Sequence, residues 1–313
     1  MAFTSFASEV KNDLARSLPR KACCRTAELA ALLRMGAVLT LGKGRSVGLA
    51  FTTENAAVAR KVLMLLKGSA EVHTELTVSR SRRLKKRNSY LVRVLPSRDV
   101  AALMERLGLM RGLVLNMGTD SALLEKKCCR KAYLRGAFLG GGSVSRPEAG
   151  YHLELVTESF SFADLLVSLL RNMGYPAGLT DRKEHYIVYV KESDAIIDFL
   201  SLLGAEKAAE AFEAARNLKE VKNQVNRIVN CETANLQKAV DAAGRQIAAI
   251  RALAATGALA QLAPGLREAA EMRLAHPDAT LAELAAFLGI GKSGVNHRLR
   301  KIGAMAGALG GGR

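Results

Sequence analysis

Residues 23–37 read CCRTAELAALLRMGA, and residues 128–142 read CCRKAYLRGAFLGGG. Both stretches open with Cys-Cys-Arg and share an alanine, a leucine and a glycine at equivalent positions, 105 residues apart. Matching segments continue downstream, where Thr53-Glu54 corresponds to Thr157-Glu158 and Tyr90-Leu91-Val92 corresponds to Tyr186-Ile187-Val188. A register that persists through several segments indicates a duplicated domain.

Each copy shows the same alternation of helical and extended patterns. This order predicts a helix–strand–strand–helix–strand–strand–helix unit, and two such units would pack about a pseudo-two-fold axis. We therefore expect an α+β fold, a duplicated αββαββα pseudo-dimer. The predicted elements, first copy then second, are a leading helix at about 25–37 and 130–142, a strand at about 46–53 and 151–157, a second helix at about 55–67 and 160–173, and extended segments ending at Val94 and Val190.

The charge of the chain is large and unevenly distributed. Lys and Arg number 46 against 29 Asp and Glu, and residues 1–135 hold 26 of the basic and only 10 of the acidic side chains. Such an excess favours a polyanion partner, because neutralised phosphates release their condensed counterions. The alternative is a basic surface without a partner. Aromatic residues make up only 5% of the chain, which argues against a stacking platform for single-stranded nucleic acid.

The first copy contains about eight residues more than the second before Tyr90, and the extra residues are mostly basic. The corresponding region of the second copy has only Arg182-Lys183 next to two acidic residues. A longer hairpin with cations at its tip is typical of a contact with the phosphate backbone, although a solvated loop is the alternative. The candidate phosphate-contacting residues are Arg80, Arg82, Arg83, Lys85, Lys86 and Arg87.

The chain has five cysteines: Cys23, Cys24, Cys128, Cys129 and Cys231. Adjacent pairs match no zinc-binding spacing, and neighbouring cysteines rarely form a disulfide with each other. The odd number in an intracellular chain predicts reduced thiols. We therefore expect no metal site, no redox role and no cofactor.

The leading helix of each copy, at 29–37 and 134–142, resembles the LAGLIDADG motif, whose small residues let two helices approach closely. In LAGLIDADG homing endonucleases the eighth motif position is an acidic residue that binds a divalent cation. That position is Gly36 in the first copy and Gly141 in the second, and the next acidic residues, Glu54 and Glu148, lie beyond the helix ends. The resemblance implies a saddle-shaped DNA-binding scaffold without catalytic residues, with an active homing endonuclease as a much weaker alternative.

The sequence near the C-terminus predicts a helix-turn-helix. Thr280-Leu281-Ala282-Glu283 has the pattern of a capping box at the start of a helix. Small Ala285, turn-forming Gly289 and apolar Val295 then follow at the spacing of the motif. With Val295 on the buried face, the second helix would expose donor side chains at its N-terminal end, where a major-groove reader contacts base edges. Those candidates are Lys292, Ser293, Asn296, His297 and Arg300, with Arg298 and Lys301 better placed for phosphates.

The alternative for this segment is an amphipathic helical hairpin that contacts another protein. Upstream, the polar residues Asn226, Arg227 and Asn230 share one face of an alanine-rich helical stretch at about 206–255. They could pack against the scaffold, contact a phosphate or face water, and the residues alone leave these options open.

Three segments together resemble the WhiA family: the Cys-Cys-Arg starts, NRIVNCETAN at 226–235 followed by Lys238, and KSGVNHRLRK at 292–301. The resemblance implies a bacterial transcription factor linked to cell division, chromosome segregation and, in sporulating organisms, sporulation. It also implies that a WhiB-type iron–sulfur protein acts as a partner in some lineages.

We therefore predict a non-enzymatic regulator that binds promoters in double-stranded DNA and is cytoplasmic and nucleoid-associated. No run of 18 apolar residues and no signal pattern occurs, so we expect no membrane partner, and no small-molecule substrate is evident. Alternatives are an RNA-binding maturase-like protein and a scaffold acting through protein contacts.

The predicted domains are a first repeat with an N-terminal extension at 1–115, a second repeat at 116–205, a helical linker at 206–255 and the helix-turn-helix domain at 256–313.

Overall fold

The computed structural model describes residues 5–42, 46–80, 88–112, 114–116, 118 and 121–310. The chain forms two compact units, Met1–Lys219 and Glu220–Arg313. Within the described residues, no helix combines the length and the apolar composition that crossing a bilayer requires.

The first unit opens with a helix that the sequence patterns did not predict, α1 (Phe6–Arg16), followed by the first repeat. The four strands of this repeat form an antiparallel sheet in the order β1-β2-β4-β3. Its elements are α2 (Ala22–Gly36), β1 (Ala37–Leu41), β2 (Val47–Thr53), α3 (Ala56–Lys67), β3 (Thr74–Arg80), β4 (Asn88–Ser97) and α4 (Arg98–Arg106).

The second repeat has the same element order and the same sheet topology, β7-β8-β10-β9. The predicted duplication and the αββαββα unit are thereby confirmed. Both leading helices begin three residues earlier than predicted and include the paired cysteines. After β5 (Met110–Arg111), β6 (Val114–Leu115) and a 3-10 turn, the elements are α5 (Lys127–Gly141), β7 (Gly142–Val144), β8 (Leu153–Thr157), α6 (Phe160–Asn172), β9 (Gly178–Arg182), β10 (His185–Val190) and α7 (Ser193–Leu203).

Helices α2 and α5 pack against each other nearly backbone to backbone. A Cβ atom on Gly136 would lie 2.3 Å from the Glu28 carbonyl oxygen, and one on Gly140 would lie 2.5 Å from the Met35 Cβ. Only glycine allows these approaches, and real Cβ contacts are never so short. The small residues of the two motifs therefore serve the close crossing that the resemblance implied.

A buried ion-pair network also joins the two helices. The Glu28 side chain is fully buried, and its two carboxylate oxygens lie 2.5 Å from the Lys61 Nζ and 2.5 Å from an Arg135 guanidinium nitrogen. Lys61, on α3, is equally buried and also donates a hydrogen bond to the Leu14 carbonyl at 2.8 Å. A buried carboxylate is tolerated only when it is paired in this way, so the network specifies how α2, α3 and α5 meet.

The predicted helical stretch at 206–255 is a single helix, α8 (Glu206–Ala255). Its first turns belong to the core of the first unit, where Ala208, Ala209 and Phe212 are buried. Near its end, Ile250 and Leu253 belong to the core of the second unit, so the helix contributes to both cores in addition to joining them. Every residue from 217 to 241 is exposed, including Asn226, Arg227 and Asn230. These three side chains therefore do not pack against the scaffold, and their exposure is compatible with both remaining options, a phosphate contact and facing water.

In the rest of the second unit, the described residues form a 3-10 turn and three helices, α9 (Pro264–Ala275), α10 (Leu281–Phe287) and α11 (Lys292–Gly310). Its apolar core combines Leu284 and Ala285 of α10 with residues of α11 and the end of α8.

Candidate nucleic-acid interface

The turn between α10 and α11 has the geometry that the sequence predicts. At the start of α10, Thr280 Oγ1 accepts a hydrogen bond from the Glu283 amide at 3.3 Å, and Glu283 accepts one from the Thr280 amide at 2.7 Å, so the capping box is confirmed. These bonds lower the pKa of the Glu283 carboxyl. Gly289 adopts a φ of +64°, a left-handed conformation that glycine enters without strain. The chain therefore turns sharply between the two helices.

One face of helix α11 is apolar and buried, and the opposite face is polar and exposed. Val295, Leu299 and Ile302 are at most 2% exposed and fill the core between α9 and α10. The opposite face carries a row of exposed polar and basic side chains at the N-terminal half of the helix. This row, here called the α11 donor row, comprises Lys292, Ser293, Asn296, His297, Arg300 and Lys301.

Arg298 differs from the other candidates on α11. Its guanidinium donates a hydrogen bond to the Gly265 carbonyl at 3.1 Å and lies 3.4 Å from a Glu268 carboxylate oxygen. These contacts hold α11 against the start of α9. A phosphate contact by Arg298 stays a prediction, and we leave this residue out of the donor row because its side chain already has partners within the unit.

A second arginine fixes the loop that precedes α10. Arg273 is buried, and its guanidinium donates to the Ala279 carbonyl at 2.6 Å. Burial lowers the pKa of Arg273. No sequence pattern indicated this contact, because an arginine in the last turn of a helix usually faces solvent.

The basic hairpin of the first repeat is formed by β3 and β4, and Arg80 closes the described part of β3 opposite Asn88. Arg80 is exposed. The other basic candidates in this hairpin, namely Arg82, Arg83, Lys85, Lys86 and Arg87, lie outside the described residues. In the second repeat the equivalent strands are joined by Lys183 and Glu184 alone, with φ values of +48° and +66°.

The positions that would carry the catalytic acids are glycines at the helix ends. Gly36 is the last residue of α2, and its Cβ position lies 3.1 Å from the Phe51 ring. Gly141 is the last residue of α5, and a Cβ there would lie 2.4 Å from the Met35 methyl carbon and 2.5 Å from the Val156 carbonyl oxygen. At Gly141 even a methyl group would need the surroundings to move, so this position has no space for a carboxylate.

At the opposite ends of the same helices, the two cysteine pairs meet. The four sulfur atoms of Cys23, Cys24, Cys128 and Cys129 all lie within 4.8 Å of one another. Within the described part of the chain, no other set of three or more His, Cys, Asp or Glu side chains converges in this way. Sequence reasoning missed this cluster because it considered the spacing within each pair, whereas the fold joins pairs from different repeats. The usable signal was that both pairs occupy the same position in helices that cross each other.

The thiols of this cluster differ in environment. Burial raises the pKa of Cys24 to about 11 and that of Cys129 to about 12. The pKa of Cys23 is lowered, chiefly by a hydrogen bond with the Cys129 thiol. Cys231 is exposed on α8 and is not a member of the cluster.

Comparison with known proteins agrees with this architecture. Three family models match consecutive parts of the chain: the WhiA N-terminal LAGLIDADG-like domain at 22–110, the WhiA LAGLIDADG-like domain at 130–222 and the WhiA C-terminal HTH domain at 225–306. A relative from Heliobacterium modesticaldum, named "Probable cell division protein WhiA", is 47% identical over 310 residues, which are 97% of this chain and 97% of that protein. The chain belongs to the WhiA family.

Other WhiA relatives are similarly close. The "Probable cell division protein WhiA" of Desulforamulus reducens is 47% identical over 306 residues, covering 96% of this chain and 95% of that protein. The crystal structure of full-length WhiA from Thermatoga maritima aligns with a TM-score of 0.59 at 25% identity, covering 97% of this chain and 99% of that one. The WhiA family, the LAGLIDADG-like repeats and the helix-turn-helix are thus shown.

Proposed function

We propose that this WhiA-family chain is a sequence-specific regulator that binds promoters in double-stranded DNA. The observation that carries the proposal is the α11 donor row, which places Asn296 and Arg300 on the exposed face of the second helix of a helix-turn-helix. Asn and Arg side chains can each make paired hydrogen bonds to a purine edge in the major groove. The relatives' name, cell division protein, supports a role of the regulated promoters in cell division.

The direct experiment captures sheared genomic duplex with purified full-length protein at about 150 mM salt, a concentration at which non-specific binding is weakened. We expect enrichment of a few promoters that share a sequence motif. Flat retention across the genome would contradict a promoter reader, unless adding a WhiB-type iron–sulfur protein restores the enrichment. The promoters recovered would also show whether chromosome segregation and sporulation genes are among the targets.

Substitutions on α11 test the base-reading assignment. Asn296→Ala and Arg300→Ala should each reduce the preference for the recovered motif by about 1–3 kcal/mol while leaving binding to unrelated duplex nearly unchanged. The control is Arg267→Ala, which removes the same charge from an exposed position on α9. If Arg300→Ala weakens binding no more than Arg267→Ala does and the uncharged change Asn296→Ala leaves the motif preference intact, α11 does not read bases.

The basic hairpin would supply affinity that does not depend on sequence. Replacing Arg82, Arg83 and Lys85 by alanine should weaken binding to every duplex and reduce the slope of log K against log salt by about 0.9 for each phosphate that is no longer neutralised. Binding is measured by fluorescence anisotropy from about 50 to 200 mM salt. A change in motif preference without a change in slope would assign base reading to the hairpin instead.

We further propose that the LAGLIDADG-like scaffold does not cut DNA. The support is the pair of glycines at the helix ends, of which Gly141 leaves no space for a carboxylate. Hydrolysis assisted by a hard cation needs carboxylate oxygens next to the scissile phosphate. The test incubates captured and random duplexes with Mg²⁺ or Mn²⁺. A metal-dependent nick that co-purifies with the full-length protein and is absent from a mock preparation would overturn this proposal.

Competition with structured RNA separates DNA binding from a maturase-like activity. A recognition helix fits the major groove of B-form DNA but not the narrow major groove of A-form RNA. We therefore expect unlabelled duplex DNA, and not a structured RNA of equal length, to displace the labelled duplex.

A further inference from the structure

The four-cysteine cluster lies where the two repeats meet, and each repeat contributes two of its members. Cys23 and Cys24 are the second and third residues of α2, while Cys128 and Cys129 are the second and third residues of α5. Because the two helices cross, both pairs reach the same place from opposite sides. Cys24 and Cys129 are buried, whereas Cys23 and Cys128 are partly exposed. The cluster is thus anchored in the core and open to solvent on one side.

The sulfur separations fit one tetrahedral metal ion. A zinc–thiolate bond of about 2.3 Å places the sulfurs of a tetrahedral site about 3.8 Å apart. All four sulfurs of the cluster already lie within 4.8 Å of one another, so small side-chain rotations would complete the tetrahedron. An iron–sulfur cluster places several irons and sulfides between its cysteine ligands and requires more widely separated thiolates.

The surroundings suit the negative charge of such a site. Four thiolates around a divalent cation carry a net charge of −2, and this charge would lie at the N-terminal ends of two helices, where the helix dipoles and free amides favour anions. The residues that precede these helices, Lys21 and Lys126, form no side-chain cap hydrogen bond. Neither described helix start therefore has the usual side-chain oxygen as an acceptor for its first amides.

An arginine next to each pair fixes the position of the cysteines. Arg25 donates to the carbonyls of Pro19 and Arg20, and Arg130 donates in the same way to those of Leu124 and Glu125. In both repeats the arginine reaches back five and six residues, so the chain that leads into each helix is held in the same conformation. Each Cys-Cys-Arg segment is therefore a preorganised half of the site.

We propose that Cys23, Cys24, Cys128 and Cys129 bind a single zinc ion that fastens the first repeat to the second. On binding, four sulfur–zinc bonds replace the bonds between the hydrated zinc ion and its waters, each thiol that binds gives its proton to solvent, and no electron is transferred. The zinc would be structural, because all four positions around it are occupied by sulfur. This site is independent of the DNA-binding proposal, since it involves neither the α11 donor row nor the basic hairpin.

Metal analysis of the full-length protein tests the site directly. The protein is produced in zinc-supplemented medium, purified without chelators under reducing, anaerobic conditions, and analysed by plasma mass spectrometry. We expect about one zinc per chain, reduced at least tenfold in Cys23→Ser/Cys128→Ser, which removes one sulfur from each repeat. The matched control is Cys231→Ser, which alters the exposed cysteine outside the cluster and should leave the zinc content unchanged.

Cobalt(II) substitution keeps the test informative if the double variant misfolds. Cobalt bound by four thiolates gives intense visible bands and a sulfur-to-cobalt charge-transfer band. The single variant Cys23→Ser, whose folding is checked by circular dichroism, should bind cobalt with a weaker and shifted charge-transfer band. Wild-type protein that binds no zinc or cobalt after reduction and reconstitution would overturn the proposal. So would zinc retained by the double variant, or a non-reduced mass showing that the four cysteines are paired in disulfides.

Discussion

The two repeats share a backbone plan but differ in the chemistry attached to it. Both have the same strand order, the same position for the cysteine pair and the same arginine contacts before the leading helix. Only the first repeat buries a carboxylate on its leading helix, Glu28, whereas the equivalent position in the second repeat is the buried aromatic Tyr133. The cysteine pair and the arginine contacts beside it are therefore maintained by both copies, whereas the buried side chains where α2 and α5 meet have diverged.

The largest expected effect comes from the buried ion-pair network centred on Glu28, a carboxylate that only the first repeat carries on its leading helix. Glu28→Gln should lower the free energy of unfolding of the first unit by about 3–5 kcal/mol, because it leaves the Lys61 and Arg135 charges without their partner. The six tyrosines lie between Tyr90 and Tyr189 and the chain has no tryptophan, so tyrosine fluorescence during urea unfolding reports this unit alone. The exposed-site control, Glu71→Gln, should change stability by less than about 0.5 kcal/mol. A similar loss of stability in both variants would show that the buried ion pairs of Glu28 do not stabilise the first unit.

The close approach of α2 and α5 is asymmetric as well, since Gly136 corresponds to Ala31 in the first repeat. Gly136→Ala should cost about 2 kcal/mol, because the new methyl group would overlap the Glu28 carbonyl and push the helices apart. Gly244→Ala on α8 is the control, as a Cβ there meets nothing within 4 Å, and because Gly244 lies in the second unit, unfolding of both variants is followed by circular dichroism. The control should be neutral or slightly stabilising, since alanine favours helix more than glycine does. Stabilisation by Gly136→Ala would mean that the helices do not pack as closely as described.

A glycine substitution in the tight hairpin of the second repeat should raise the stability of the first unit, in contrast to the two substitutions above. Glu184 has a φ of +66°, which is unfavourable for a residue with a Cβ, so Glu184→Gly should stabilise the first unit by about 0.5–1 kcal/mol. Glu184→Ala removes the same carboxylate without relieving the backbone and should not stabilise. If alanine and glycine have the same effect, the charge of Glu184 and not its conformation is responsible.

The smallest effect is expected on DNA affinity, when the two cations of that same hairpin are removed. Arg182→Ala/Lys183→Ala should change DNA affinity by less than about twofold, because acidic residues flank these side chains and the hairpin is short. The measurement is the same salt series that is applied to Arg82, Arg83 and Lys85. A slope change as large as that of the first-repeat variant would show that both hairpins contact phosphates.

Local patterns in the sequence were sufficient to predict the duplicated unit, the capping box at Thr280 and the exposure of Asn296 and Arg300. The capping box and the exposure of these two side chains depend on residues that are close together in the chain, and the duplication is visible because a local pattern occurs twice. The pairing of Glu28 with Lys61 and the gathering of the cysteines could not be predicted in the same way, since they depend on how distant elements cross. Helix α1 could not be predicted because its apolar pattern is short. Its position is set by tertiary contacts, such as the hydrogen bond that the Asn55 side chain donates to the Asn12 side chain at 2.9 Å.

The crossing of α2 and α5 has a further consequence for how the four thiols are brought together. Each repeat carries two cysteines at its helix start, so a protein with a single repeat would present only half of the cluster. Four sulfurs would then come together only when two such chains associate, and their proximity would depend on protein concentration. Joining the copies in one chain makes the encounter intramolecular, at the high effective concentration that a linker provides. Joining the two repeats in one chain thus makes the proximity of the four thiols independent of protein concentration.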